Sequence, residues 1–260
     1  MEEKVFGYPE FDESGECICT TYDNAYRSQL MDIRVYQMKA GETRTFLKEK
    51  EEMALLLFNG TITLKWDAGE KQVSRKDVFT DGLWALHVCR NIEMVVTADA
   101  DSEFILQATY NDREFPSRLY SAQDAPWGVV GEGKFGGNAV RKVNTIFDYN
   151  TAPYSNMVLG EIMNDRGNWS GYIPHSHPQP ETYYFMFDRP EGFGASFVGD
   201  DVYKIKHRSF SAITPNETHP QACAPGYLMY TVWLIRHLDG NPWTDRIDDP
   251  DYTWLYDAKF

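Results

Sequence analysis

The sequence predicts an all-β protein built from two β-barrel modules. Short runs of apolar and β-branched residues recur about every ten residues, and Gly, Pro, Asn and Asp separate them. Helical periodicity is rare along the 260 residues. A glycine-rich stretch at 121–138 interrupts the strand pattern and indicates the connection between the modules, which we place at 1–125 and 126–260.

The first module contains a series of predicted strands. Each is rich in apolar, β-branched or aromatic residues and ends at residues that favour turns. Asn59-Gly60 lies between two of these runs and is typical of a tight hairpin. The predicted strands are 33–39, 53–58, 61–66, 84–88, 92–98 and 103–110.

The second module contains a similar series. The run 133–137 (Gly-Lys-Phe-Gly-Gly) precedes the first strand of this series. It lacks the Gly-Lys-Ser/Thr ending of a phosphate-binding loop, and no helix follows it, so we interpret it as part of the connection. The predicted strands are 141–147, 157–163, 181–187, 195–198, 202–206, 209–213 and 227–235.

Charge and composition exclude several classes of partner. The net charge of -14 disfavours nucleic acids and anionic membranes, since like charges repel. A small anionic substrate is still compatible, because salt screens distant charges and a local Arg or Lys can dominate a pocket. We expect a cytoplasmic location and reduced cysteines, since the sequence shows no membrane span, signal peptide or disulfide framework. A homo-oligomer is compatible with the sequence.

His175, His177, Glu181 and His219 are the candidate metal ligands. Side chains alternate along an extended strand, so His175 and His177 point to the same side. Glu181 follows a proline-containing turn and opens a predicted strand, while His219 lies in a turn before the last predicted strand. These spacings indicate that the four side chains converge.

Three imidazole nitrogens and one carboxylate oxygen suit one divalent metal per chain. Zinc, manganese, iron(II) and nickel all accept such ligands, and the sequence does not choose among them. The other histidines, His87, His207 and His237, lack neighbouring metal-ligating residues and are expected to be structural or solvated.

These ligands and their flanking segments resemble a known family. His-x-His-x3-Glu with a later His is similar to the cupin pattern, and further segments resemble 5-deoxy-glucuronate isomerases of inositol degradation. The resemblance is dense from about residue 138 onward and weaker before it. The segments are Gly167-Asn168-Trp169-Ser170, Glu181-Thr182-Tyr183-Tyr184, Pro190-Glu191-Gly192-Phe193, Thr214-Pro215, His219-Pro220, Ala224-Pro225-Gly226-Tyr227, and Asp248-Asp249-Pro250-Asp251 with Trp254.

The resemblance implies a bicupin, with two double-stranded β-helix (jelly-roll) barrels. It also implies that the second barrel binds the metal through the four candidate ligands and that the first has no equivalent site. Two segments depart from the family pattern. The family's acidic insertion after the second histidine is shortened here to 178–180 (Pro-Gln-Pro), and its Pro-Arg-Gly-Tyr-His is replaced by 215–219 (Pro-Asn-Glu-Thr-His). Both departures are expected at the mouth of the pocket.

The resemblance further implies an aldose–ketose isomerase that converts 5-deoxy-D-glucuronate to 5-dehydro-2-deoxy-D-gluconate without a redox cofactor. Tyr183 is the candidate for handling a hydroxyl proton, because it shares a strand face with Glu181; a core tyrosine is the alternative. Arg141, which matches a basic position of the family, is the first candidate for binding the substrate carboxylate, and Lys204 is the second. A solvated surface role is the alternative for both.

Three other functions fit the same residues. An isomerase of 5-dehydro-4-deoxy-D-glucuronate, from pectin breakdown, would share the ligands and the reaction type. A cupin dioxygenase with iron or nickel would consume oxygen. A bicupin without enzymatic activity would bind uronates and leave them unchanged.

Overall fold

The computed structural model describes residues 2–259, and its regular secondary structure is almost entirely β-strand, which confirms the predicted all-β class. Within this part of the chain, no helix has the length and apolar character needed to cross a membrane. The strands of the first half are β1 (Phe6–Gly7), β2 (Glu16–Thr20), β3 (Asp32–Met38), β4 (Thr43–Phe46), β5 (Glu51–Trp66), β6 (Gly69–Arg75), β7 (Trp84–Val88), β8 (Met94–Ala98), β9 (Ser102–Tyr110) and β10 (Arg118–Ser121).

The second half continues the β-architecture. Every predicted strand outside 53–66 is found with its ends within two residues of the predicted ones. Short 3₁₀ helices occur at Arg27–Gln29, Phe135–Gly137 and Pro250–Tyr256. The strands are β11 (Gly128–Val130), β12 (Arg141–Phe147), β13 (Met157–Asn164), β14 (Trp169–Ser170), β15 (His175–Ser176), β16 (Glu181–Phe187), β17 (Phe193–Val198), β18 (Asp201–Lys206), β19 (Phe210–Ile213), β20 (Gln221–Cys223), β21 (Met229–Arg236) and β22 (Ile247–Asp248).

The predicted hairpin at Asn59-Gly60 is wrong. β5 runs unbroken through both residues, and a bulge after Leu57 shifts its register against β9. Gly60 has a φ of +103°, and a Cβ at this position would collide with the backbone of Ser102. The glycine therefore lets β5 bend, so that it pairs with β7 before the bulge and with β6 and β8 after it. The hairpin turn lies instead at 67–68.

Three clusters of buried apolar side chains form the core. One fills the first barrel, and another fills the second. The largest cluster lies between the barrels and combines strands of the first half, such as β3 and β5, with strands of the second half, such as β16 and β21. The two barrels therefore pack sheet against sheet. All four cysteines are buried and free, as expected.

Successive side chains of a strand point to opposite faces of the sheet, so one strand can contribute residues to two of these clusters. In β16, Tyr183 and Phe185 belong to the core of the second barrel, whereas Tyr184 and Met186 belong to the cluster between the barrels. Every residue of this strand is buried, which explains its continuous apolar run. Phe58 of β5 stacks on Tyr184 with 5.8 Å between ring centres, so the two sheets contact each other directly.

The N-terminal strand and the connection both join the second barrel's sheet. β1 pairs with β19 through Phe6 and Ser211, which adds the first strand to the edge of that sheet. In the connection, β11 pairs with β12 on the opposite edge. The division of the chain at 125/126 stays a prediction.

A buried ion pair ties the barrels together. Arg75 Nη1 lies 2.7 Å from Glu161 Oε1, and both side chains are fully buried. The hydroxyl of Tyr230 and the amide of Asn144 donate to the same carboxylate, while Arg75 also donates to the carbonyl of Leu57. Because the two charges come from different halves of the chain, their pairing stabilises one arrangement of the barrels.

We expect Glu161→Ala to lower the free energy of unfolding by about 3–5 kcal/mol, because Arg75 would become an unpaired buried charge. Urea unfolding followed by tryptophan fluorescence measures this change. Glu191→Ala is the matched control, since Glu191 is 57% exposed and, among residues 2–259, forms an ion pair only with the exposed Arg189. Its effect should stay below about 1 kcal/mol, and similar losses in both variants would contradict the prediction.

Candidate metal centre

The candidate metal ligands converge at the second barrel. Glu181 begins β16, between β19 and β21, and shares the inward face of that strand with Tyr183. His175 lies in β15, and His177 follows in the turn before β16. His219 lies in the loop between β19 and β20. All four ligand candidates are buried.

Three of the predicted ligands form a compact cluster. His177 Nε2 and His219 Nε2 each lie 3.1 Å from Glu181 Oε2. The ligand atoms of these residues all lie within 4.8 Å of one another. His219 Nε2 is buried, and its direction toward the carboxylate does not meet hydrogen-bond geometry, so it has no hydrogen-bond partner among residues 2–259. Converging nitrogen and oxygen atoms of this kind fit a divalent metal.

Each candidate histidine uses its other ring nitrogen to bind the backbone. Nδ1 of His175, His177 and His219 lies 3.1, 2.9 and 2.8 Å, respectively, from the carbonyl oxygen two residues away in the chain. Because a carbonyl only accepts hydrogen bonds, Nδ1 is the donor in each of these contacts, and His177 and His219 direct Nε2 toward Glu181. Metal-binding histidines typically have such an outer hydrogen bond.

His175 lies beside the cluster and is not part of it. Its ring centre is 4.6 Å from that of His219, but its ligand atoms fall outside the group that lies within 4.8 Å. Coordination by all four residues therefore requires a shift of the His175 ring toward the other three. Burial, together with His219 and Arg246, lowers the pKa of His175 to about 3, so its ring is neutral at physiological pH.

Glu181 is ionised despite its burial. Burial by itself would raise its pKa, but the interactions with His177 and His219 lower it to about 2. The cluster therefore offers an ionised carboxylate, which is the form that binds a metal.

Side-chain amides hold the loops that carry the histidines. Gln221 Nε2 donates to the carbonyl of His219 at 2.9 Å, and Ser170 Oγ donates to Gln221 Oε1 at 2.9 Å. Gln179 Nε2 donates to the carbonyl of Asn241 at 2.8 Å. These bonds restrict the backbone on both sides of the cluster.

Arg141 faces the same interior. Val143, two residues later in β12, packs against the core of the second barrel, so alternation puts Arg141 on the inward face. The side chain of Arg141 donates to the carbonyl of Ala139 at 2.9 Å and forms no ion pair with any described residue. Burial and the nearby Arg246 lower its pKa to about 10, so it is cationic at neutral pH.

Tyr183 borders the cluster. Its ring centre lies 5.9 Å from that of His219. Burial and the Glu181 carboxylate raise the pKa of Tyr183 well above its ordinary value, so its hydroxyl keeps its proton at neutral pH. Tyr183 can therefore donate a hydrogen bond next to the candidate ligands.

Lys204 is not brought to this cluster. Its side chain is exposed on β18, and Nζ lies 5.1 Å from the ring centre of Phe193. The neighbouring Ile205 belongs to the core of the second barrel, so alternation directs Lys204 outward. We therefore do not propose Lys204 as a ligand for the substrate carboxylate.

The segment 246–256 also borders the cluster, although none of its residues was predicted as a site residue from the sequence. β22 pairs with β15 and puts Asp248 opposite His175. Arg246 Nε lies 3.0 Å from Asp248 Oδ1, and Arg246 Nη2 donates to the Tyr256 hydroxyl at 3.1 Å. Asp248 belongs to an acidic motif that resembles the family, but nothing in the spacing connected Arg246 to the histidines.

The remaining histidines have structural partners. His87 Nε2 lies 2.8 Å from Glu52 Oε2 in a buried pair, and the Phe187 N–H donates to His207 Nδ1 at 3.1 Å. These contacts agree with the expectation that they are structural.

His237 contacts the cluster indirectly, through Trp243. Its Nδ1 accepts a hydrogen bond from the backbone N–H of Trp243 at 2.9 Å. The Trp243 ring packs edge-on against His177, with 6.2 Å between ring centres. Burial lowers the pKa of His237 to about 4, and protonation of Nδ1 would remove its capacity to accept from Trp243.

The family comparison covers nearly the whole chain. The KduI/IolB family matches residues 8–255. The 5-deoxy-glucuronate isomerase of Geobacillus kaustophilus (strain HTA426) is 26% identical over 250 residues, which cover 89% of this chain and 87% of that protein. The 5-deoxy-glucuronate isomerase of Bacillus subtilis (strain 168) is 26% identical over 245 residues, which cover 86% of this chain and 87% of that protein. The similarity therefore extends over both barrels.

Solved structures share this fold. An IolB-like protein from Salmonella typhimurium LT2 superposes with a TM-score of 0.88 at 21% identity, covering 97% of this chain and 99% of that one. The oxalate decarboxylase of Bacillus subtilis, described with Mn(II) centres, superposes with a TM-score of 0.67 at 9% identity. The superposition covers 95% of this chain and 80% of that one. These likenesses confirm the predicted bicupin fold.

We expect His237 to make stability depend on pH. The unfolded chain takes up the proton near pH 6.5 and the folded protein only near pH 4, so stability is lost as pH falls between these values. The loss should be about 2–3 kcal/mol. Urea unfolding at pH 7.5 and 4.5 measures it, and His237→Gln, whose amide oxygen can accept from Trp243, should lose correspondingly less. The same pH dependence in both proteins would contradict this assignment.

Proposed function

This chain belongs to the KduI/IolB family, and on that basis we propose that it is a metal-dependent aldose–ketose isomerase of inositol degradation. The proposed reaction converts 5-deoxy-D-glucuronate to 5-dehydro-2-deoxy-D-gluconate. The curated relatives that match both barrels are named 5-deoxy-glucuronate isomerases, which supports both the reaction type and the substrate.

One observation carries the metal dependence. The Nδ1 atoms of His175, His177 and His219 all bind backbone carbonyls, so Nε2 is the atom of each ring that could coordinate a metal. Nε2 of His177 and Nε2 of His219 each lie 3.1 Å from Oε2 of the ionised Glu181. A divalent metal would bind these converging nitrogen and oxygen atoms.

The chemistry moves hydrogen between two adjacent carbons of the substrate. A bound divalent metal would supply a Lewis acid that polarises the carbonyl group and stabilises negative charge on oxygen. Arg141 is suited to hold the substrate carboxylate, since it is buried, cationic and unpaired. Tyr183 is suited to donate a hydrogen bond to a substrate oxygen, because it keeps its proton beside the ligands. We do not assign the base that removes the carbon-bound proton.

The first test is conversion itself. Purified protein of known metal content, incubated with 5-deoxy-D-glucuronate in deuterated water, should produce the ketone signals of the product in proton NMR. Deuterium at the new methylene-alcohol carbon would indicate proton transfer through an enediol, whereas its absence would indicate a hydride shift. Oxygen uptake measured in parallel separates an isomerase from a dioxygenase.

Failure of this conversion by metal-loaded protein would contradict the proposed substrate. Conversion of 5-dehydro-4-deoxy-D-glucuronate in the same assay would then identify the related isomerase. Tight binding of either uronate without turnover would instead identify a binding protein.

We expect His177→Ala and Glu181→Ala each to abolish metal binding and turnover, because each removes one atom of the converging cluster. Metal content after dialysis, measured by mass spectrometry, reports the binding. His207→Gln is the matched control, since His207 binds only a backbone N–H outside the cluster and should leave metal content unchanged. Full turnover by metal-free wild-type protein would contradict the metal-dependent mechanism.

A further inference from the structure

We propose that Arg246 and Arg141 together form a two-guanidinium site for the substrate carboxylate, so that the segment 246–256 contributes to the specificity for sugar acids. The inference rests on the proposed function in taking the substrate to be a uronate. It goes beyond that proposal by assigning recognition to a segment outside the barrel strands.

Arg141 supplies the half of this site that comes from the barrel wall. It faces inward from β12, and its only side-chain hydrogen bond within residues 2–259 is to the Ala139 carbonyl. A guanidinium has five N–H donors, so most of its donors are left for a ligand. A buried cation without a counterion is costly, and an anionic ligand removes that cost.

Arg246 supplies the half that comes from the C-terminal segment. Asp248 holds its Nε at 3.0 Å, and the Tyr256 hydroxyl accepts from Nη2 at 3.1 Å. Its Nη1 lies 3.5 Å from His175 Nδ1. That nitrogen already donates its proton to the Ile173 carbonyl, so it cannot also accept from Arg246. Nη1 is therefore held beside the candidate metal ligands with its donors free.

Both guanidiniums belong to the surroundings of the candidate ligands. Arg246 Nη1 lies 3.5 Å from His175 Nδ1, and Arg141 faces the same barrel interior from β12. Burial, and after it the charge of Arg246, lowers the pKa of Arg141, which agrees with this placement. Like charges brought together in a partly desolvated space repel, and a carboxylate between them turns this repulsion into two attractions. Two planar donor groups also match the two oxygens of a carboxylate.

A cavity of about 400 Å³ lies between the connection and the C-terminal segment, with Ala139, Trp169, Tyr172 and Leu255 among its lining residues. The carbonyl of Ala139 accepts the hydrogen bond from Arg141. The cavity therefore lies next to the backbone that orients Arg141.

Binding of two matched ligands tests the pair without relying on turnover. D-glucuronate carries the carboxylate, and D-glucuronamide replaces it with a neutral amide of similar shape. By calorimetry, wild-type metal-loaded protein should bind the acid more tightly than the amide. Arg246→Gln and Arg141→Gln should each weaken binding of the acid by about 10- to 100-fold and change binding of the amide much less. Arg189→Gln, at an exposed arginine, is the matched control and should keep the wild-type preference.

Further variants separate recognition from folding. Arg246→Lys keeps the charge but not the planar fork, so it should retain part of the preference. Tyr256→Phe keeps the packing but releases Arg246, so it should raise KM for 5-deoxy-D-glucuronate by a smaller factor than Arg246→Gln does, with kcat little changed. Thermal unfolding of each variant reports whether it is folded.

Several results would overturn the inference. It is wrong if Arg246→Gln weakens the acid and the amide equally, if it weakens neither, or if the wild type shows no preference for the acid. The proposed function fails separately, if wild-type protein distinguishes glucuronate from glucuronamide through both arginines but does not isomerise 5-deoxy-D-glucuronate.

Discussion

The packing of the two barrels sheet against sheet determines how the rest of the molecule is arranged. Because their central strands are buried on both faces, successive side chains must serve two different cores. In β16, Tyr184 belongs to the cluster between the barrels, and this directs Tyr183 into the second barrel. A shift of one residue in register would exchange these faces and would bury Glu181 against the other module.

Polar contacts across the interface reinforce this register. Thr182, beside Glu181, donates to the Gln29 side chain of the first half at 2.8 Å, and Gln29 in turn donates to the carbonyl of Ile213 in β19. The strand that carries Glu181 is thereby held from its outer face. The first barrel, whose own core is apolar, supports the candidate metal centre as a scaffold for the opposite face of the same sheet.

Loops and the C-terminal segment carry the candidate site residues that the sheet does not. Backbone carbonyls fix the proton on Nδ1 of the candidate histidines, and side-chain amides restrict the loops that carry them. β22 adds the C-terminal segment to β15, so Arg246 comes to lie beside His175 although the two residues are far apart in the chain. The rigid sheet thus provides the carboxylate, and the segments around it provide the nitrogen atoms and the cations.

The sequence by itself determined the all-β class, most strand positions and the candidate ligands, because alternation, turn residues and the His-x-His-x3-Glu spacing are local patterns. It failed at Asn59-Gly60, where the close approach of Ser102 makes the glycine a bend within β5 and not a hairpin turn. Only the tertiary structure decided that Lys204 points outward and that Arg246 lies beside His175. Such proximity depends on how distant segments pair, and no local pattern contains that information.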